Sequence, residues 1–291
     1  MATYITGIDL GGTKICTAVA YIDKRILSRV KIPTEAQKGP RIVWQNIFDS
    51  IETAALRAGI SPEEISRIGI GVPGPVDYRR SLVRVCPNIP GWTNVPVKKI
   101  LQSRFPWAEI ILENDARAAG LAEARRGAAR GHWHVFYVTV GTGIGGALIQ
   151  GGQLYQGASG SAGEIGHIWL GDGISLEDMA AGPAIQRLFA IDPVKIREAL
   201  KHGEAGAQKA LDHLVHYLGL GLANVATLLN PEIIVIGGGV ANLGIILLAP
   251  LRAEVRKLGF SISGRQVKIK KACLGDNAGL IGILEICAQE V

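Results

Sequence analysis

Two glycine-rich turns, each behind an apolar run, constrain this chain more than any other feature. The first is Gly7-Ile8-Asp9-Leu10-Gly11-Gly12-Thr13-Lys14 and the second is Thr139-Val140-Gly141-Thr142-Gly143-Ile144-Gly145-Gly146. An apolar run that ends in glycines reads as a strand entering a tight turn. Glycine admits positive φ and lets backbone amides approach a ligand that a side chain would hold off, so consecutive exposed amides can form an anion-binding concavity. One such turn is ordinarily only a hairpin. A third cluster, Gly237-Gly238-Gly239, follows Ile233-Ile234-Val235-Ile236. Three glycine turns capping three strands predict a nucleotide site. Carboxylates stand where such a site needs them: Asp9 inside the first turn, and Asp115 in Glu113-Asn114-Asp115, directly after Ile110-Ile111-Leu112.

At 291 residues the chain exceeds what one hydrophobic core usually holds, and its 48% apolar content can fill two domains. Apolar periodicity predicts strands at about 4–9, 15–21, 25–32, 66–71, 109–113, 134–140, 144–150, 233–237 and 267–271. Helical patterns fill about 39–58, 94–104, 116–128, 181–190, 193–201, 204–229, 242–258 and 277–289. A meander followed by alternating helix and strand is the order of a mixed α/β sheet with covering helices. The longest apolar run, Leu243 to Leu251, is too short for a membrane span and is broken by Gly244 and Pro250. No basic-then-apolar leader opens the sequence, so a cytoplasmic protein with no membrane partner is predicted. Cys16, Cys86, Cys273 and Cys287 lack short spacings and fit reduced thiols. The net charge of +6 invites a nucleic-acid reading, but the clusters Arg125-Arg126 and Lys268 to Lys271 carry no interleaved aromatics, and no nucleic-acid partner is predicted.

On these residues the chain resembles the ROK family of sugar kinases, which includes bacterial glucokinases, within the actin, hsp70 and hexokinase superfamily. The first glycine turn matches the family's first phosphate motif, the Thr139 to Gly146 turn its second, and Gly237 to Gly239 its adenosine motif. Gly69-Ile70-Gly71-Val72-Pro73-Gly74-Pro75-Val76-Asp77, Pro87-Asn88-Ile89-Pro90-Gly91-Trp92, Gly163-Glu164-Ile165-Gly166-His167 and Leu274-Gly275-Asp276-Asn277-Ala278-Gly279-Leu280 fall in family order, so the likeness runs from about residue 4 to about 285. It implies an α/β protein of two ribonuclease-H-like, actin-type ATPase domains around a central cleft. The smaller would take residues 1–115 plus 276–291 and the larger 116–275, with hinges near Asp115 and Asp276. ATP with Mg2+ and a hexose are the implied ligands, and a homodimer or homotetramer is expected.

Phosphoryl transfer to a sugar hydroxyl requires the proton to leave as the oxygen attacks, so a carboxylate within hydrogen-bond reach is the expected base. Asp115 matches the family's base. Its place directly before Ala116-Arg117-Ala118-Ala119 also suits a helix N-cap, and the two roles can coexist. Asn114 and Asn88 can each donate and accept, as a sugar hydroxyl does. With Gly71, Glu164, His167 and Glu177 they form the sugar-binding set that the resemblance implies. Glu164 and His167 would share a face if locally helical. On the donor side, Gly11, Gly12, Thr13, Lys14, Thr142, Gly143, Gly238 and Gly239 are the expected phosphate and adenosine contacts. Asp9 is the carboxylate expected to hold the hydrated Mg2+ that accompanies ATP. On this reading, valine at Gly143 should weaken ATP far more than sugar.

One segment departs from the family. Most members follow the Gly-Glu-Ile-Gly-His motif with a loop whose three cysteines, with the His, bind a structural zinc. Here the sequence runs Ile168-Trp169-Leu170-Gly171-Asp172-Gly173-Ile174-Ser175-Leu176-Glu177 with no cysteine, and one His does not make a tetrahedral site, so no zinc is predicted. The expected reaction is transfer of the ATP γ-phosphoryl group to the 6-hydroxyl of glucose. Kinases for N-acetylmannosamine, N-acetylglucosamine or fructose use the same motifs. Family members that are repressors carry an N-terminal helix-turn-helix, for which there is no room before Tyr4, and the intact Asp115 argues against a non-catalytic sugar sensor.

Overall fold

The structure is a computed structural model that describes residues 3–86, 88–171 and 173–289. Two compact units divide the chain. The first takes the chain up to Ala122, the short stretch Gln156–Ser161 and everything from Asp276; the second takes Glu123–Tyr155 and Ala162–Gly275.

The first unit contains β1 (Tyr4–Leu10), β2 (Lys14–Tyr21), β3 (Ile26–Pro33) and β4 (Ile65–Val72), then a small separate sheet of β5 (Val76–Asp77), β6 (Leu82–Val85) and β7 (Thr93–Val95), then β8 (Glu109–Asn114). The main sheet has the order β3-β2-β1-β4-β8. β1, β2 and β3 form an antiparallel meander, while β4 and β8 run parallel to β1. Helix α1 (Pro40–Ala58) starts with proline at its first turn and ends at Gly59, whose φ of 71° terminates it. It buries Val43, Ile47, Ile51, Ala54 and Ala55, which recur at helical spacing. With α2 (Val97–Arg104) it covers a core that contains Trp92 and Phe105, both fully buried, and the stacked pair Trp44 and Trp92.

The C-terminal helix, Ala278–Cys287, covers part of the sheet through β1 and β4. Contact is close because β4 offers glycine there. A Cβ at Gly69 would lie 2.4 Å from the Cys287 sulfur and 2.7 Å from Ile283 Cγ2.

In the second unit, β9 (Val135–Val140), β10 (Ile144–Gln150) and β11 (Gln153–Leu154) form the meander, β12 (Trp169–Gly171) and β13 (Ile174–Ser175) form a separate ribbon, and β14 (Ile233–Gly237) and β15 (Lys268–Lys271) complete the sheet. Its order is β11-β10-β9-β14-β15, again three antiparallel strands followed by two parallel ones. The two sheets thus repeat one topology, the one expected of paired ribonuclease-H-like domains. The chain passes from the first unit to the second within α3 (Asp115–Arg126). Helices α4 (Leu176–Ala180), α5 (Gly182–Phe189), α6 (Ile196–Lys201), α7 (Ala207–Leu229), α8 (Ile245–Leu258) and α9 (Ser263–Gln266) complete the second unit. Glu123, with no exposed surface, accepts the backbone N–H groups of Ala128 at 2.8 Å, Cys273 at 2.9 Å and Leu274 at 2.8 Å. It thereby ties the start of this unit to the segment from which the chain leaves it. Among the described residues, no helix is long and apolar enough to cross a membrane.

A Gly69→Ala substitution is expected to destabilise the fold by about 1–3 kcal/mol, the usual cost of overpacking, because backbone and helix must part to admit the methyl group. The denaturant midpoint measures this, and an unchanged midpoint would show that the C-terminal helix can give way freely.

Candidate active site

Sheet register assembles the first group of residues. β1 and β4 pair Asp9 with Gly71, and β4 and β8 pair Gly71 with Glu113 and Val72 with Asn114. The carboxyl ends of three parallel strands therefore deliver Asp9, Gly71 and Asn114 to one edge, the edge at which open α/β sheets bind ligands. Gly71's missing side chain has a packing cause: a Cβ there would lie 3.1 Å from Ile283 Cγ1. In the first glycine turn the Gly11 N–H donates to the Lys14 carbonyl at 2.9 Å, and the buried Thr34 closes over it, donating its hydroxyl to the Gly11 carbonyl at 2.6 Å and its N–H to the Thr13 carbonyl at 2.9 Å. Thr13 is exposed at the tip. A Cβ on Gly12 would lie 2.6 Å from Asn88 Cβ, so this turn abuts the expected sugar residue. Pro87 beside it, and Asp172 in the shortened loop, lie outside the described residues.

The expectation of positive φ needs correction. Gly11, Gly12 and Gly143 all lie outside the left-handed region, and among the expected phosphate and adenosine glycines only Gly238 occupies it, at φ 78°. At Gly12 and Gly143 the requirement is close approach of a neighbour instead.

Asp9 is only partly exposed, and its carboxyl lies against the first turn of the C-terminal helix: a Cβ on Gly279 would be 2.8 Å from it. Burial pushes the carboxyl up to about 6 from 3.8, Lys14 opposes this, and the charge of Asp276 adds to it. The Lys14 ammonium donates to Asp276 Oδ2 at 2.5 Å, a bond that raises the lysine and lowers the aspartate. Asp276, read from sequence only as a hinge, is thus part of the charge cluster at the first turn. No three His, Cys, Asp or Glu side chains converge among the described residues as a metal cage would require. A nucleotide-borne Mg2+ takes one or two carboxylates and keeps its waters, and a buried carboxylate whose desolvation a cation would offset fits that demand.

The Asp115 turn resolves a point that the sequence left open. Asn114 is the cap: its Oδ1 accepts the Arg117 N–H at 3.1 Å, and its Nδ2 donates to the Gly74 carbonyl at 3.1 Å. Asp115 is the first helical residue, with Oδ1 accepting the Ala116 N–H at 2.8 Å. The buried Cys86 thiol is pushed up to about 11, first by burial, with an Asn88 N–H opposing and the Asp115 charge adding to the rise.

The second unit assembles its own group. The Gly163–His167 motif crosses β10, where Gly163 (φ 99°) would place a Cβ 3.1 Å from the Gly146 carbonyl. Residues 165–167 form one 3-10 turn with Glu164 at its N-cap and His167 exposed. Glu164 has non-helical backbone, at φ -69° and ψ 62°, so the expected common face of Glu164 and His167 does not follow from helical spacing. The shortened loop becomes the ribbon β12–β13, which ends in a capping box between Ser175 and Asp178 at the start of α4. This fixes Glu177, whose Oε2 accepts the Ile144 N–H of the second glycine turn at 2.5 Å. A Cβ at Gly143 would lie 2.7 Å from that same oxygen, and one at Gly166 would lie 3.3 Å from it. Glu177 therefore joins the second glycine turn to the Gly163–His167 motif. The expectation that valine at Gly143 weakens ATP far more than sugar does not follow from this geometry, since the new side chain would displace Glu177.

The third glycine cluster packs on the end of β9: a Cβ at Gly238 would lie 2.3 Å from the Val140 carbonyl. Beside Val140, a cavity of about 390 Å³ is lined by Gly141, Thr142, Pro183, Gln186, Val194 and Val240. Gly239 would place a Cβ 3.0 Å from Val194 Cγ1. Pro183, Gln186 and Val194 carry no local motif and were not read as site residues from sequence.

The ROK family model matches residues 5–290, and the chain belongs to the ROK family. It is 32% identical to a glucokinase of Halalkalibacterium halodurans, over 96% of this chain and 93% of that one. Among solved structures, a ROK hexokinase from Thermus thermophilus is 35% identical with a TM-score of 0.83 and 97% of each chain covered. A ROK family glucokinase from Streptomyces griseus, in complex with glucose and AMPPNP, is 32% identical with a TM-score of 0.78, over 99% of this chain and 100% of that one.

Two expected outcomes test the geometry. Between pH 4 and pH 6 folded Asp9 holds more protons than unfolded Asp9, so stability falls as pH rises through that window, and above it the charged carboxyl costs up to about 3 kcal/mol. Asp9→Asn should therefore raise Tm at pH 7.5, with the gain shrinking at pH 4.5; a gain that is the same at both values would show that Asp9 is not strained by burial. Glu177→Ala removes a charge-assisted bond worth about 1.5–3 kcal/mol to the glycine turn. The dissociation constant of AMPPNP should rise about tenfold or more, and unchanged affinity would show that the turn keeps its shape alone.

Proposed function

We propose that this protein is an ATP-dependent hexose kinase that transfers the γ-phosphoryl group to the 6-hydroxyl of glucose. The carrying observation is the register that sets Asp9, Gly71 and Asn114 at one sheet edge, with Asp115 the next residue along. Similarity to glucokinases and a hexokinase over nearly the whole chain supports the same reading.

Asp115 takes the proton of the attacking hydroxyl as the bond to the γ-phosphorus forms and the bond from that phosphorus to the ADP oxygen breaks, releasing ADP. Asn114 keeps one amide hydrogen and one lone pair beyond its cap bonds for a sugar hydroxyl. Asn88, the backbone of Gly71, and the Glu164, His167 and Glu177 side chains orient the remaining hydroxyls. In the first unit Gly11, Gly12, Thr13 and Lys14 would face phosphate oxygens, and Asp9 would hold the hydrated Mg2+. In the second, Thr142 and Gly143 face phosphate, while Gly238 and Gly239 adjoin the nucleoside in the cavity beside Val140. Mg2+ supplies neutralisation of the phosphate charge. Ser175, Asp178 and the ribbon hold the loop that carries Glu177, a loop for which no zinc is proposed.

Fructose, N-acetylglucosamine and N-acetylmannosamine are the competing acceptors, and a coupled assay with ATP across these sugars and glucose decides among them. Glucose is expected to give the highest kcat/KM. Binding of a sugar without turnover of any would replace the kinase reading with a sensor. Asp115→Asn is expected to lower kcat by about 10²–10⁴-fold while retaining sugar binding measured without nucleotide; near-normal turnover would remove Asp115 from the chemistry.

A further inference from the structure

We propose that Arg117 is a positioning residue that aims Asp115 and tethers the segment 156–161 to the turn that carries it; this rests on the assignment of Asp115 as the base. Arg117 lies two residues beyond Asp115 and is 1% exposed. Its Nε donates to Glu113 Oε1 at 2.9 Å. The same carboxylate oxygen accepts the Asn114 N–H at 2.8 Å and the Tyr78 hydroxyl. The ion pair thus runs from the last turn of β8 to the first turn of α3, over the two residues Asn114 and Asp115 between them. The guanidinium also stands 5.4 Å from the centre of the Tyr78 ring, and its Nη1 donates to the Gly160 carbonyl at 3.2 Å. Gly160 has φ 86°, and a Cβ there would lie 2.1 Å from the Tyr78 ring, so a side chain would push that ring and the tether apart.

Stability alone does not account for this cluster. A buried ion pair gains little over apolar groups of equal volume, because desolvation offsets most of the attraction. A guanidinium does supply direction: its planar fork holds two acceptors at fixed angles, here Glu113 at the base turn and Gly160 on the tether. Segment 156–161 precedes Gly163–His167 in the chain, so one side chain fastens both the base turn and the stretch that leads in sequence to a motif proposed to hold sugar. Displacement of a reacting group by about 1 Å can cost on the order of 100-fold in rate, which gives such a fastening kinetic weight.

The test compares Arg117→Lys, Gly160→Ala, Asp115→Asn and Arg117→Lys/Asp115→Asn, each checked by thermal melting and studied as the full chain. A lysine keeps the charge but cannot span both acceptors; alanine at Gly160 attacks the tether from its other end and serves should the lysine variant fail to fold. Both single variants are expected to lower kcat about 10- to 100-fold with KM for ATP unchanged, and to speed hydrogen exchange of the 156–161 amides. In the Asp115→Asn background Arg117→Lys should add no further loss, because the group it aims is gone. Normal kcat and exchange in folded Arg117→Lys and Gly160→Ala, or losses that multiply in the double variant, overturn the proposal while leaving the base assignment intact. Full turnover in Asp115→Asn alone would instead bring down the base assignment, and this inference with it.

Discussion

The C-terminal helix can lie on the first sheet only because β1 and β4 leave room beneath it. Gly7, Gly69 and Gly71 all face Ile283, Leu284 or Cys287, and side chains at these positions would lift the helix away. That close seat has chemical consequences. It carries the first turn of the helix, at Gly279, onto the Asp9 carboxyl and brings Asp276 to Lys14. Helix packing and site electrostatics are therefore one constraint.

Asp9 shows what that constraint costs. A carboxyl raised to about 6 is stabilised less by its fold than an exposed one would be, despite Lys14 beside it. Natural proteins carry such local losses at functional sites, where a ligand can later offset them. The Lys14–Asp276 pair is different in kind: it is largely exposed, so its contribution to stability is small, and its value lies in where it holds the ammonium.

Much of this was legible in the sequence, and the limits have physical causes. The long strands and helices declared themselves through periodicity, from β1 to the C-terminal helix. The small sheet of β5, β6 and β7, the ribbon β12–β13 and α4 did not, because two to five residues contain no period to detect. The expected 193–201 helix proves to be a 3-10 turn at Pro193–Lys195 followed by α6. Asp9, Asn114 and Asp115 could be picked from motif and strand ending. Thr34, Glu123, Gln186 and Arg117 could not, since their roles come from partners far along the chain: Arg117 in an alanine-rich helix reads as a solvent-facing residue and is instead fully enclosed. The glycine turns were found for a partly mistaken reason, backbone freedom, where contact with Asn88 and Glu177 sets the requirement.

The Glu177–Ile144 bond has a consequence for redesign. Acceptor preference is commonly altered by exchanging loops, and residues 168–174 look like the segment to exchange. Their length sets the place of the Ser175 cap, hence of Glu177, hence of the amide at Ile144. A longer or shorter graft would reach the second glycine turn as surely as a substitution inside it. If Glu177 and the second glycine turn hold sugar and nucleotide as proposed, libraries built there would alter both substrates at once, and a screen run at saturating nucleotide would keep variants whose donor affinity had already been lost.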